Sequence, residues 1–232
     1  MRADEIDEVR KIPLIGSASE HSVQELLRGA FLQRFPAHVD LVREGDPADF
    51  LHVVVEGQIE IFATYRERET TVSVVGPGNA FILAAVMLDK PYLKSARVLA
   101  TSRILMIPAQ SVREVFTSDG DFALALTKEL ARAYRGVVKE LKNQKLRSSL
   151  ERLAAWLVRY NTENGSVNAF DLPFDKKVLA SRLGMAPEVL SRTFVTLQAY
   201  GVKVEGRRIL LTKVPDLTRL AEPSELIDNP LT

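Results

Sequence analysis

The chain contains no cysteine and only three histidines among its 232 residues. Without cysteine the protein cannot form disulfides, thiolate-held iron–sulfur clusters or cysteine-rich zinc sites. A long hydrophobic run is also absent, because the longest, Ala80 to Leu88, is far shorter than the roughly 20 residues that span a bilayer. The N-terminus, MRADEIDEVR, has no apolar signal core. We therefore expect a cytoplasmic protein that does not enter membranes.

Positive and negative side chains nearly balance, since the formal net charge at pH 7 is +1. An average over domains can nevertheless hide a local basic surface. Residues 173–213 hold eight Lys or Arg against three Asp or Glu, a local charge of +5. If the protein binds nucleic acid, this segment is where we expect the contact.

Stretches of different periodicity divide the chain. Residues 6–34 have the spacing of short packing helices. Short β-rich runs separated by glycine follow from Phe35 to about Pro108, and the pattern then becomes helical again. We predict an α+β protein with a barrel or sandwich in residues 1–110, a long helix in 111–147 and a second domain in 148–232.

The predicted helix 111–147 carries an apolar stripe about four turns long. A narrow stripe of this length can cap its own barrel, but it more naturally meets a symmetric partner. We therefore predict a homodimer that forms through this helix. The predicted interface residues are Leu126, Leu130, Ala133, Tyr134, Val137 and Leu141.

A new helix is predicted to begin at Ser148, because Ser148 and Glu151 have the spacing of a capping box. The break beside it is the candidate hinge between the two domains. The last stretch, residues 222–232, is polar and contains proline, so we expect it to be frayed.

Residues 175–200 have the pattern of a helix-turn-helix. Asp175 is a suitable N-cap for a first helix over residues 176–183. Gly184 then provides a residue that tolerates positive φ in the turn, and Pro187 suits the first position of the second helix. The turn is thus specified by two residues.

The second helix has one apolar face and one polar face. Apolar residues at positions i, i+4 and i+7 should face the core: Leu190, Phe194 and Leu197. The outward residues Glu188, Ser191 and Arg192 are predicted to read bases, because Arg can bond guanine and Glu can accept from cytosine. The alternative is that Glu188 and Arg192 form only a surface ion pair.

The segment VKVEGRRILLTK supports DNA binding. Gly206 is predicted to turn between two short strands, which places Arg207 and Arg208 beside a wing. These arginines, with Lys176 and Lys177, are candidates for phosphate contacts. Each could equally be ordinary solvated charge.

Taken together, the motifs resemble the CRP/FNR superfamily over nearly the whole chain. The motifs are REGDPAD, VVVEGQIEIF and GPGNAF in the barrel region and E-x-x-S-R in the second helix. The resemblance implies a cyclic-nucleotide-binding-like barrel of the jelly-roll (double-stranded β-helix) type, a dimerisation helix and a winged helix-turn-helix. It also implies a non-enzymatic transcription regulator that binds double-stranded DNA at a TTGA-like inverted repeat and contacts RNA polymerase.

The sensor segment departs from the family's cyclic-nucleotide cassette. Leu83 and Ala84 replace its Gly-Glu pair, and Lys94 and Ser95 replace its Arg-Ser pair. The ribose carboxylate is missing and the bidentate phosphate contact is weakened, which argues against cAMP as the effector. The oxygen-labile iron–sulfur cluster of FNR is excluded because no cysteine is present.

The segment LDKPY, with the apolar residues before it, resembles the dissimilatory nitrate-respiration regulators, which implies a haem-dependent response to nitric oxide as an alternative. The candidate axial ligand is His52, in a predicted barrel strand; Met87 and Tyr92 have no better case. The interpretation we favour for His52 is nevertheless that of a packing histidine in a strand. A small-molecule-binding module that acts through protein contacts is the remaining alternative.

Overall fold

The computed structural model describes residues 1–229, which divide into two compact units, Met1–Ala133 and Tyr134 onward. The helices of the first unit are α1 (Ala3–Val9), α2 (Pro13–Gly16), α3 (Glu20–Leu27), α4 (Leu83–Leu88), α5 (Ala109–Ser118) and the first half of α6 (Gly120–Leu146). Its strands are β1 (Phe31–Phe35), β2 (Asp40–Val42), β3 (Phe50–Tyr65), β4 (Arg68–Val75), β5 (Ala80–Phe81) and β6 (Ser95–Pro108).

The strands of the first unit form an antiparallel barrel built around two long strands. Strand β6 pairs with β1, β2 and β3, and β3 also pairs with β4 and β5. Strand β3 does not simply alternate buried and exposed residues, because Ile59, Ile61 and the Glu60 between them are all buried. The Glu60 carboxylate accepts a hydrogen bond from the Thr71 hydroxyl at 2.6 Å, so this buried charged group has at least one hydrogen-bond partner.

The predicted single helix 111–147 is two helices. Helix α5 ends at Ser118, and Asp119 is extended, with φ −125° and ψ 106°. The Asp119 carboxylate accepts hydrogen bonds from the backbone N–H groups of Phe122 (3.0 Å) and Ser19 (2.9 Å), and these bonds lower its pKa. Asp119 thus caps the start of α6 and also binds Ser19, 100 positions away; apolar periodicity alone shows neither contact.

Leu126 is not an interface residue, contrary to the prediction. It is fully buried in the hydrophobic core of the first unit together with Phe122, and Leu130 packs partly against the same core. Helical spacing identifies an apolar face but cannot tell which neighbour covers it. The first turns of α6 therefore belong to the folding of the barrel unit.

The second unit contains the remainder of α6 and a small winged domain. Its further helices are α7 (Ser149–Glu163), α8 (Lys176–Arg182), α9 (Pro187–Leu197), α10 (Val214–Ala221) and α11 (Glu225–Asp228). Its strands are β7 (Ala169–Asp171), β8 (Val202–Glu205) and β9 (Arg208–Leu211), antiparallel in the order β7-β9-β8. The prediction of an α+β chain with a barrel and a helix-turn-helix is confirmed.

The C-terminal segment is ordered as far as Asn229, contrary to the prediction of a frayed tail; residues 230–232 lie outside the described part of the chain. The Arg147 guanidinium donates to both carboxylate oxygens of Asp228, at 2.7 and 2.6 Å, with side chains only 8% and 16% exposed. The Lys139 ammonium also donates to the Asn229 carbonyl at 2.5 Å. The chain end is thus held against the end of α6.

Across residues 1–229, none of the helices has both the length and the apolar composition needed to cross a bilayer.

Candidate nucleic-acid interface

Helix α7 packs against α9 of the helix-turn-helix. Its predicted capping box is confirmed: the Ser148 hydroxyl accepts from the Glu151 N–H at 3.3 Å, and the Glu151 carboxylate accepts from the Ser148 N–H at 2.6 Å. The backbone bond lowers the pKa of Glu151. The apolar run that follows, from Leu153 to Leu157, is buried. Helix α7 therefore begins at a fixed residue and is anchored in the core of the second unit.

Arg152 joins the end of α6 to the turn of the helix-turn-helix. Its buried guanidinium donates from Nε to the Leu183 carbonyl at 2.8 Å and from Nη1 to the Arg147 carbonyl at 2.6 Å. It replaces water as the partner of carbonyls at two helix C-termini. We did not identify this residue from the sequence, although a charge beside a buried apolar run is a signal that could have singled it out.

The turn between α8 and α9 has the predicted chemistry. Gly184 has φ +62°, and the Met185 N–H bonds the Ala180 carbonyl at 3.0 Å, while Pro187 occupies the first position of α9. Asp175 lies at the N-cap position of α8, but its carboxylate makes no capping bond. It accepts instead from Arg207 at 3.0 Å. The residue predicted as a cap thus ties α8 to the wing.

Helix α9 buries one face and exposes the other, as predicted. The core-facing residues are Leu190, Phe194 and Leu197, with Thr193 beside them. Glu188, Ser191 and Arg192 are exposed. The Ser191 hydroxyl donates to the Pro187 carbonyl at 3.1 Å, which leaves its lone pairs available.

The surface ion pair considered for Glu188 and Arg192 does not form. Within the described residues, neither side chain makes a salt bridge or a side-chain hydrogen bond. An exposed carboxylate and an exposed guanidinium one helical turn apart therefore keep their full hydrogen-bonding capacity. The base-reading prediction gains support because intramolecular pairing does not compete with it.

The wing is the hairpin β8–β9, with Gly206 at φ +64° in its turn. Arg208, Lys176 and Lys177 are exposed, as phosphate contacts require. Arg207 is engaged, because it donates to the Asp175 carboxylate and to the Leu172 carbonyl at 2.8 Å. A phosphate at Arg207 would have to compete with that carboxylate. The Lys176 ammonium lies over the Phe194 ring, 5.9 Å from its centroid, whereas Lys177 and Arg208 make no salt bridge among the described residues.

The four sensor residues identified in the sequence lie on two elements. Leu83 and Ala84 begin α4, where Leu83 packs into the core and Ala84 is exposed. Lys94 precedes β6 and is half-buried without a salt bridge among the described residues, and burial lowers its pKa. The Ser95 hydroxyl accepts from the Glu44 N–H at 3.0 Å. Leu83 therefore packs in the core and Ser95 bonds the backbone, which leaves Ala84 and Lys94 as the residues available to a ligand.

His52 does not fit the role of a haem ligand. It is 3% exposed, its ring stacks on Phe81 with centroids 5.2 Å apart, and Tyr92 packs edge-on at 6.5 Å. Its Nδ1 is buried and has no hydrogen-bond partner in the described residues. Burial lowers its pKa to about 4, so the ring is neutral at pH 7. Because neutral imidazole is the form that binds metals, the obstacle to haem iron is the burial and aromatic packing of the ring and not its charge.

Two family models match the chain. A cyclic nucleotide-binding domain covers residues 32–119, and a Crp-like helix-turn-helix domain covers residues 151–222. The chain belongs to the CRP/FNR family. It is a transcription regulator with a DNA-binding helix-turn-helix, and its relatives are regulators rather than enzymes, as predicted. The alternative of a module that acts only through protein contacts is therefore wrong.

The individual relatives are distant. The CRP-like cAMP-activated global transcriptional regulator of Mycobacterium tuberculosis is 21% identical over 81% of this chain and 86% of its own. The transcriptional activator protein anr of Pseudomonas aeruginosa is 24% identical over 78% of this chain and 76% of its own. The structure of FixK2 from Bradyrhizobium japonicum has the same fold, with a TM-score of 0.73 and 19% identity over 84% of this chain and 98% of that one.

Proposed function

We propose that this family member binds an inverted-repeat operator of TTGA-like half-sites as a homodimer in the bacterial cytoplasm, and that it acts there on RNA polymerase. Arg192 bonds a guanine, Glu188 accepts from the paired cytosine, and Ser191 contacts the neighbouring base. The observation that carries the proposal is the outward face of α9, where Glu188 and Arg192 are exposed and unpaired within the described residues.

The part of the DNA affinity that does not depend on DNA sequence would come from the cationic side chains around the outward face of α9. Lys176, Lys177 and Arg208 are exposed, and a helix end and a wing beside α9 are positions from which phosphates can be reached. Arg207 would contribute after releasing Asp175. Such contacts make binding depend on salt concentration, whereas the contacts of Arg192 make it depend on sequence.

Operator selection from random duplex DNA tests the base-reading role. The wild-type protein should enrich an inverted repeat, with and without added cAMP. Arg192→Ala should lose about 1–3 kcal/mol of discrimination at one base position in each half-site. Arg28→Ala is the matched control, because Arg28 is also exposed but belongs to the barrel unit. An Arg192→Ala protein with unchanged discrimination at every position would refute the assignment.

The proposed dimer forms through the second half of α6. Four large apolar side chains with helical spacing are solvent-exposed there: Tyr134 (71%), Val137 (60%), Val138 (37%) and Leu141 (52%). With the exposed Ala133 and the half-buried Leu130 they continue the stripe that Leu126 begins. Exposed apolar residues in one row at this spacing are typical of a helix that pairs with a second copy.

Analytical ultracentrifugation tests the dimer. Val137→Asp should convert the protein to monomer, because association would bury the added carboxylate without a partner. Arg132→Asp is the control, because Arg132 is 68% exposed and lies on the side of α6 opposite the centre of this stripe. A Val137→Asp protein that sediments like wild type would remove this face from the interface.

The effector is proposed to be something other than cAMP. Leu83 is buried in the core where the family's cassette has a small residue before its ribose-binding carboxylate, and Ala84 offers no carboxylate at the next position. Lys94 supplies one point charge in place of a bidentate guanidinium.

A further inference from the structure

The recognition helix exposes one large apolar side chain on the face that carries the base-reading residues. Val195 is 64% exposed, while the other large apolar residues of α9 are buried or half-buried. At 3.6 residues per turn, Val195 lies only about 20° around the helix from Glu188. It is therefore closer to the middle of the outward face than Ser191 is.

The chemistry of the major groove leaves few partners for such a side chain. Base edges there present hydrogen-bond donors and acceptors, and their apolar group is the C5-methyl of thymine. Val195 has two methyl groups and no polar atom beyond its backbone. If the face enters the groove, Val195 either meets a thymine methyl or desolvates polar base edges without compensation.

The axial position of Val195 fits one base contact beyond that of Arg192. Three residues correspond to about 4.5 Å along the helix axis, against about 3.4 Å between successive bases of one strand. The neighbouring Thr196 is turned further from the face, and its hydroxyl donates to the Arg192 carbonyl at 3.2 Å.

We infer that Val195 is a specificity-determining residue that reads the C5-methyl group of a thymine, one or two steps from the base pair read by Arg192. The inference rests on the proposed function, because it requires α9 to lie in a major groove. It assigns a second, apolar component to sequence recognition, alongside the hydrogen bonds of Glu188 and Arg192.

Replacing thymine by deoxyuridine tests the contact, because this change removes only the methyl group. In the duplex recovered by operator selection, each thymine is replaced in turn and the Kd is measured for wild type, Val195→Ala and Thr196→Ser. For wild type, one position per half-site should weaken binding about four-fold, the effect of withdrawing one buried methyl group. Val195→Ala should bind more weakly overall and be insensitive at that position.

The matched control removes a methyl group from the adjacent residue. Thr196→Ser keeps the hydroxyl and should retain the wild-type response to deoxyuridine at every position. Thermal unfolding of each variant confirms that the exposed substitutions leave the fold intact.

Two results would overturn the inference while leaving the proposed function in place: no thymine whose methyl matters, or a deoxyuridine response in Val195→Ala equal to that of wild type. Failure of the selection to enrich any duplex would overturn the proposed function and this inference together.

Discussion

Replacing Arg152 by methionine should destabilise the second unit without exposing new surface. Methionine fills a similar volume but donates no hydrogen bond, so the Leu183 and Arg147 carbonyls lose the bonds of 2.8 and 2.6 Å that Arg152 gives them. A hydrogen bond from a charged donor contributes about 1.5–3 kcal/mol. Part of this is offset because the buried guanidinium no longer has to be desolvated. We expect the free energy of unfolding to fall by about 3 kcal/mol.

Trp156 makes the measurement specific. It is the single tryptophan of the chain, lies in α7 four residues from Arg152, and is buried against Tyr160 with ring centroids 5.1 Å apart. Urea unfolding followed by tryptophan fluorescence therefore reports on the second unit alone. The slope of free energy against urea should not change, because the surface exposed on unfolding is the same.

The control for Arg152→Met is the same substitution at Arg159, on the same helix. Arg159 is partly exposed and approaches Glu163 at 3.9 Å, a contact worth less than about 0.5 kcal/mol. A loss below about 1 kcal/mol for Arg152→Met, or an equal loss for Arg159→Met, would show that the carbonyls at the two helix ends do not depend on Arg152.

Two further predictions concern titratable groups. Burial lowers the pKa of His52 to about 4, so the unfolded chain binds a proton more readily and stability falls as pH drops from about 6.5 towards 4. His52→Leu should remove about 2 kcal/mol of this loss between pH 7 and pH 5 in urea unfolding followed by circular dichroism; an unchanged pH dependence would contradict it. Burial raises the pKa of Asp228, but the hydrogen bonds from Arg147 and the Ser224 N–H outweigh it and hold the pKa below its usual value. Asp228→Asn should cost about 2 kcal/mol at neutral pH, by Trp156 fluorescence, and progressively less as acid protonates the wild-type carboxyl. Asp216→Asn, at an exposed pair, is its control, and equal losses for both would refute the prediction.

The parts of the site that were predictable from the sequence are those fixed by neighbours in the chain. Ser148 and Glu151 satisfy each other across three residues, and Gly184 and Pro187 specify a turn through their own backbone preferences. The buried and exposed faces of α9 follow from helical spacing alone. Each of these signals is contained within one or two turns of helix.

The parts that were missed depend on partners distant in sequence. Asp119 is held in part by the distant Ser19 N–H, and Asp228 holds the tail through Arg147. Arg152 donates to a carbonyl 31 residues away. No periodicity encodes such contacts, since they are set by where the folded chain brings backbone groups and charges together.

If α6 mediates the proposed dimer, one apolar stripe serves both the core and the interface, and substitutions along it should differ in their response to gene dosage. A substitution at Phe122 or Leu126 removes buried packing from the barrel unit, so its phenotype should be temperature-sensitive and persist at high expression. A mild substitution at Tyr134 or Val137 would weaken only association, which follows mass action. Raising the intracellular concentration of the protein should rescue the second group and not the first.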